Sequence, residues 1–404
     1  MESPSSRPHE PVELAIERLA DQCVMCGLCL PHCPTYRVAR SEGESPRGRV
    51  ALARALVAGL ADESATSHID NCLACGSCAQ VCPSKVEFLP LLAATRTLAP
   101  MRVRDTQPRR RLRALARRPG LLRAVLAVRA LGRTRIGAAI AQRNGVAPGA
   151  ARAIALAPRA WMRGRPVSFT PAAGQRRGVL GLFRGCAASV LDADTQHAAV
   201  HVLTRLGYDV HAPADPHCCG ALAWHAGDSQ AAREDADDAR DAFAGLELDA
   251  IVHATSGCDA TLRATSRAPV HELMSFLARE PAWPWRTDAP RVRRAALLVP
   301  CTQRAIADEG ALMPLLARVP GLEVSPLPLQ PRCCGAAGLH FVDHEAQSLP
   351  LRDERVQQLR ELAPELLLTT NIGCRLWLHA GLAEAGLVVP VVHPVTAISE
   401  ALAT

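Results

Sequence analysis

Eight of the chain's sixteen cysteines form one spaced pattern written twice. Cys23, Cys26, Cys29 and Cys33 fall as C-x2-C-x2-C-x3-C ahead of Pro34, and Cys72, Cys75, Cys78 and Cys82 repeat the run 49 residues later ahead of Pro83. Three thiolates, each separated by two residues, can reach three irons of one cubane from a single tight loop. The fourth is badly placed to close the same cage, and where two such runs occur it ligates the other cluster. The spacing therefore predicts one [4Fe–4S] centre on Cys23, Cys26, Cys29 and Cys82, and a second on Cys72, Cys75, Cys78 and Cys33. Each proline ends its loop and fixes the backbone beside the last ligand. The competing chemistries are structural zinc and disulfides. Zinc sites usually present C-x2-C pairs with a long gap between them, which a run of four before a proline, present twice, fits poorly.

The other eight cysteines form a second duplication. Cys301, Cys333 and Cys334 each lie 115 residues after Cys186, Cys218 and Cys219, and Cys374 lies 116 after Cys258. Adjacent cysteines can point to one site, and the glycine that follows them lets the backbone come close. Four thiols in each half thus suit a metal or a redox site, the alternative being buried structural thiols. His217, His225, His253, His340 and His379 stand near these turns as further candidates for ligation or proton transfer. Arg184 and Arg304, close to the first cysteine of each half, are placed either to offset cluster charge or to be solvated.

Patterning supplies the elements that must position these groups. Val12 to Ala20 reads as an amphipathic helix whose Leu14, Ile16 and Leu19 would cap the first cluster. Ser45-Pro46-Arg47-Gly48-Arg49 leads into Val50 to Leu60, an N-capped helix with proline in its first turn. From Thr97 to Thr170 arginines alternate with apolar residues, and Pro108, Pro119-Gly120, Pro148 and Pro158 break the stretch into helical pieces such as Leu121 to Leu131. From Arg177 the pattern turns to β/α, with strands at Gly178 to Phe183, Asp209 to His211 and Ala250 to His253 and a helix at Thr195 to Leu206. Past Arg291 the order recurs, with strands at Ala295 to Val299 and Leu366 to Thr369. Cysteines fall at the C-terminal ends of strands or in the loops after them, where open α/β sheets place ligand sites. The expected class is α plus α/β. An all-helical two-cluster ferredoxin domain covers 12–96, an arginine-rich helical connector 97–176, and a duplicated cysteine-rich α/β region 177–290 and 291–404.

Composition narrows the function classes. The net charge of +7 concentrates between about residues 100 and 177, while the region around Asp228 to Asp249 is acidic. With aromatics at 3% and no reading motif, the basic stretch is not a nucleic-acid module. It fits a connector packed on its neighbours, or peripheral contact with a membrane surface. No apolar run reaches the roughly 20 residues that span a bilayer. The polar start, Met1 to Pro11, carries no apolar signal region, which predicts a reducing, cytoplasmic location with thiolates kept for metal. No G-x-G-x-x-G opens a strand–helix unit, so no flavin or nicotinamide site is expected in this chain.

These features resemble a known family. The paired C-x31-CCG…GC units look like the cysteine-rich domains of the heterodisulfide reductase family, and the layout from about residue 12 to 400 is similar to the iron–sulfur subunits of glycolate oxidases. The likeness is carried by Ala20-Asp21-Gln22-Cys23, Cys33-Pro34-Thr35-Tyr36, Ser45-Pro46-Arg47-Gly48-Arg49, Thr255-Ser256-Gly257-Cys258 and Thr370-Asn371-Ile372-Gly373-Cys374. It implies a complex in which separate FAD-containing dehydrogenase subunits oxidise a 2-hydroxy acid. This subunit would pass the electrons to a quinone or another acceptor, on the cytoplasmic side and peripheral to the inner face of the membrane. The same role beside a D-lactate or anaerobic glycerol-3-phosphate dehydrogenase, or in a heterodisulfide-type reductase, stays open, as does a zinc-stabilised scaffold from a different class. One departure stands out: family domains that hold a non-cubane cluster end in C-x2-C, but Thr261 and Trp377 occupy the last position here. Each half then offers four thiolates, for a simpler cluster, another metal or a thiol/disulfide pair.

Overall fold

A computed structural model describes residues 10–99, 107–131, 164, 167–215, 217–288, 291–305, 309–328 and 333–403. The first part is helical throughout. Val12–Ala20, Pro46–Val57, Glu63–Asp70 and Phe88–Leu98 pack around Ile16, Leu19, Val50, Ile69, Leu91 and Leu92. None of Leu14, Ile16 and Leu19 lines the volume beside Cys23, Cys26 and Cys29 that they are expected to cap; Ile16 and Leu19 are buried in the helical core, but Leu14 is 54% exposed. At 100° per residue it falls on the face opposite Ile16, so it cannot join them. The Pro46–Val57 helix starts where Ser45 caps it, the Ser45 hydroxyl accepting from Gly48 N at 2.9 Å with proline in the first turn.

The connector contributes two described helices, Gln107–Ala116 and Pro119–Leu131. Pro108 sits in the first turn of the former instead of dividing the stretch, because an orphan N–H is lost there at no cost. Pro148 and Pro158 lie outside the described residues.

Two sheets follow. The first has the order β1-β3-β2-β4-β5, from Phe169–Thr170, Gly178–Phe183, Tyr208–His211, Ala250–His253 and Val270–Glu272. The second, β7-β6-β8-β9, is built from Arg293–Leu297, Leu322–Pro326, Leu366–Leu368 and Val391–Val392. Apart from β1, which pairs antiparallel with β3, every pairing is parallel, and the two orders superpose strand for strand. The duplication of the cysteines is thus a duplication of fold. Patterning missed β1, β5, β7 and β9, three of which have two or three residues and so carry little periodicity.

One core joins the halves. Leu180, Leu203 and Leu273 of the first pack with Leu297, Leu316 and Ile398 of the second. Across this core Arg375 is paired with the buried Asp192 and donates to Thr195 Oγ1 at 2.9 Å. His393, fully buried, accepts from Val395 N at 3.1 Å and caps the helix Pro394–Ala401.

Burial, aided by the Arg375 charge, holds the His393 imidazole down to about 3. That lies below its unfolded value of about 6.5, so its contribution to stability is complete above about pH 6.5 and lost as pH falls toward 3. Acidification from pH 7 to 5 should remove about 2 kcal/mol through this group, and His393→Asn, which keeps a capping oxygen, should lose that much less in urea unfolding at the two pH values.

Candidate metal centres

The two cysteine runs adopt the same loop. Met25 and Ala74, each midway between the first two cysteines of its run, have φ of 58° and 49°, and Gly27 and Gly76 have φ of 82° and 69°. Such left-handed positions are costly for Met and Ala and persist where surroundings over-determine them. The turns bring successive cysteines round to one side, and each run ends in a short helical turn, Leu30–His32 or Ser77–Gln80.

Two small cavities lie against these loops. One, of about 30 Å³, is lined by Cys23, Cys26, Cys29 and Cys82, and also by Cys78. The other, of about 20 Å³, is lined by Cys72, Cys75, Cys78 and Cys33. The fourth cysteine of each run therefore faces the volume that the other run encloses.

Positive charge is buried around the second volume. Arg49 donates to Thr35 Oγ1 at 3.0 Å and reaches Cys33 Sγ at 3.9 Å, while pairing with the buried Glu44. Burial alone would lower the Arg49 pKa, but Cys72, Cys33 and Glu44 outweigh it and raise the value. Arg96 donates to the carbonyls of Ile69, Asp70 and Cys72, the last at 2.7 Å. Burial pushes the Cys75 thiol up to about 12. Cys78 is also pushed well up, first by burial and then by Cys75, Cys72, Cys33 and Cys29. Thiols so crowded and dry cannot all ionise unless a cation joins them, and metal binding would displace their protons.

The second cysteine set converges as well. β2 and β4 lead into Cys186 and Cys258, and β6 and β8 into Cys301 and Cys374. Gly220 and Gly335 close the two Cys-Cys-Gly turns at φ of 82° and 85°. A Cβ on either would stand 2.3 Å from Ala232 O or 2.6 Å from Ser348 O, so only glycine fits. In the first half Cys218 is held low, chiefly by hydrogen bonds from Cys186 and Cys219, and those two partners are pushed up in turn. In the second, Cys301 is pushed well up by its hydrogen bond to Cys333 and by burial. Cys333, Cys334 and Cys374 each accept one thiol hydrogen bond, which lowers them, yet burial and neighbouring thiols leave all three raised. Cys334 Sγ lies 2.9 Å from Cys374 Sγ. Among the described residues, no three His, Cys, Asp or Glu side chains close around one point as a mononuclear ion requires.

The loops after the strands meet between the halves. Ser256 Oγ lies 2.7 Å from Thr302 Oγ1 and Ser256 N donates to Thr370 O at 3.2 Å, while within the second half Asn371 Nδ2 donates to Thr302 Oγ1 at 3.1 Å and Thr370 Oγ1 to Gln303 Oε1 at 2.8 Å. Neither position of the missing fifth cysteine faces a site. Thr261 Oγ1 donates to Cys258 O within its own helix, and Trp377 is a fully buried core residue stacked on Phe341 at 4.8 Å.

The remaining candidates divide. Arg304 donates to Val299 O and lowers Cys301 and Cys374 electrostatically, a partial offset to their rise, whereas Arg184 donates to the carbonyls of Val167 and Ala212. His253 pairs with Asp259 at 3.1 Å, His340 stacks on His344 at 4.4 Å, and burial holds His379 below its usual range. His225 opens onto the cavities of both cysteine sets, while His217 only adjoins Cys218 in sequence.

One relation could not be read from spacing. A cavity of about 90 Å³ is lined both by Cys72 and by Cys301, Cys333, Cys334 and Cys374. Cys75 acts electrostatically on Cys301 and Cys333, and Leu73 packs on Cys333. Asp70–His344, at 2.8 Å, and Arg109–Asp343, at 2.7 Å, hold the helical part and the connector to the second half.

Residues 19–86 match the model of a 4Fe-4S dicluster domain, and 180–263 and 295–379 each match a cysteine-rich domain. The glycolate oxidase iron–sulfur subunit of Escherichia coli is 30% identical over 92% of both chains. The chain belongs to the glycolate oxidase iron–sulfur subunit family. A probable glycolate oxidase iron–sulfur subunit of Bacillus subtilis is 29% identical, covering 90% of this chain and 89% of its own. Lactate utilization protein A of Geobacillus thermodenitrificans is 26% identical over 53% of this chain and 95% of its own. The family accounts for the helical dicluster part followed by paired cysteine-rich domains, and it makes this chain an iron–sulfur component of an oxidoreductase complex. Among the described residues no helix is long and apolar enough to cross a membrane.

Mild diamide oxidation of metal-free chain should form a Cys334–Cys374 disulfide, since those sulfurs need move only about 0.9 Å to bond. Peptide mapping by mass spectrometry would read the product.

Proposed function

We propose that this chain is the electron-transfer subunit of a glycolate-oxidising complex, taking electrons from separate FAD-bearing subunits and passing them to a quinone. The observation that carries the reading is the crossing of the fourth cysteines. Cys82 faces the volume of Cys23, Cys26 and Cys29, and Cys33 that of Cys72, Cys75 and Cys78. These two sets would hold two [4Fe–4S] clusters, each supplying one-electron oxidation and reduction when bound.

The chain's own residues do the rest. Thiolate sulfurs fix the cages, and Val50, Val86 and Phe88 wall the first volume with apolar side chains. Arg49 and Arg96 hold buried positive charge at the second, which favours the reduced form and raises the potential. The shared wall between Cys72 and the Cys301 set supports a path from the helical domain into the second cysteine-rich domain, whose four thiols, like those of the first, are proposed to bind metal. Organic substrate chemistry would belong to the flavin of the partner. A cytoplasmic location, with peripheral contact to the inner face of the membrane, fits a lipid-soluble acceptor.

A second reading is D-lactate oxidation, favoured by the partial likeness to lactate utilization protein A. Turnover of the co-purified complex with glycolate against D-lactate separates the two. A zinc-stabilised scaffold would instead bind zinc and stay colourless.

Oxygen-free protein should contain at least about eight irons with matching sulfide. Cys33→Ser should remove about four irons, those of the Cys72, Cys75 and Cys78 loop, and spare the loop that precedes it in sequence. Removal of both clusters, or of neither, would contradict the crossing.

A further inference from the structure

The cavity beside Cys186, Cys218, Cys219 and Cys258 is the larger of the two that meet the second cysteine set, at about 230 Å³ against about 90 Å³. We propose that it binds the ring of a quinone-class acceptor, an apolar cycle carrying two carbonyl oxygens. The proposal rests on the electron-transfer reading above and places the last step of the path.

Position is the first argument. The Cys301 set shares its cavity with Cys72 of the helical domain, so it lies on the inlet side. The Cys186 set shares no lining residue with the cysteine-run loops and stands at the far end. Leu222, His225, Thr302, Gly338 and Asn371 line both cavities, so a single wall separates inlet from outlet.

The lining is the second argument. Leu112, Leu115, Leu122 and Leu126 of the connector form one side, and Ile372 and Leu376 of the second half another, with the thiols at the end. A phosphate-bearing carrier would bring charges that need donors there. Arg184, the arginine among the described lining residues, has its guanidinium engaged by the Val167 and Ala212 carbonyls. An uncharged ring needs only shape and one or two hydrogen bonds, for which Thr255, Thr302 and Asn371 lie near the thiol end.

Size is the third. The volume falls below the roughly 300 Å³ at which drug-sized pockets begin, which suits one substituted ring with its tail outside. Leu121, next to the lining Leu122, is 49% exposed, and Val167, bonded to Arg184, is 66% exposed. In the step itself the quinone takes two electrons, one at a time, from the reduced iron–sulfur centres and two protons from water. It leaves as the quinol, with no bond formed to the protein.

Oxidised, full-length protein incubated with an azido derivative of a short-tailed ubiquinone and irradiated should be labelled at residues lining this cavity, within 112–126, 183–191, 218–225, 255–258, 338–341 or 371–376 or at Thr302. Unlabelled decyl-ubiquinone should compete. Label elsewhere, or label that does not compete, overturns the proposal. Because no reduction is involved, this readout stands even if the electron-transfer reading fails, and that reading can fail by metal analysis while labelling succeeds. Leu115→Trp, which fills the cavity, should cut labelling at least tenfold, whereas Leu14→Trp on the exposed face of the first helix should leave it intact. Equal labelling of the two variants would also overturn it.

Discussion

On the proposed ligation neither cysteine run closes a four-thiolate cage by itself, and most of the helical domain follows from that constraint. Cys33 and Cys82 must each reach across to the other loop, so the loops must be held side by side. The helix Pro46–Val57 between them does this, and it carries Arg49 into the crossing point, bonded to Thr35 and paired with Glu44. A buried guanidinium is tolerated only because thiols and a carboxylate surround it. The charge that stabilises the fold here is thus the charge that an anionic cluster needs.

Duplication then extends the same economy of parts. Two parallel sheets of matching order present eight further thiols at their C-terminal edges, and the two halves face each other across Thr302, Asn371 and Ser256. They are not equivalent in their surroundings. The second half packs against the loop of Cys72 and Cys75 and takes the Arg109–Asp343 bridge from the connector, while the Cys186 cavity of the first is lined by connector leucines and by no residue of the cysteine-run loops. On the proposed function, this asymmetric setting would give the two halves different places on the electron path.

Much of this was legible in the residues. Strict cysteine spacing reports chemistry because each ligand must lie within reach of one cage, and the interval between Cys186 and Cys301 reports the repeat. The apolar strands β2, β4, β6 and β8 are legible as apolar runs, whereas β5 and β9 are too short to leave a pattern and β7, with Glu323, Ser325 and Pro326 among its five residues, lacks an apolar run. Leu14 cannot cap a cluster beside Ile16 because its angular position on the helix turns it to solvent. What sequence could not supply was tertiary: that Leu73 would pack on Cys333, that Trp377 would fill a core, or that connector leucines would line a cavity. Leucine, arginine and tryptophan are generic in composition, and their roles arise only from what the fold sets beside them.

Electron paramagnetic resonance of oxygen-free protein reduced with dithionite tests the central claim most directly. Cys78 lies against both thiol-lined volumes, so two reduced cubanes there should give a broadened, spin-coupled iron–sulfur signal that appears on reduction and vanishes on reoxidation. A silent spectrum from protein carrying stoichiometric zinc would contradict the account.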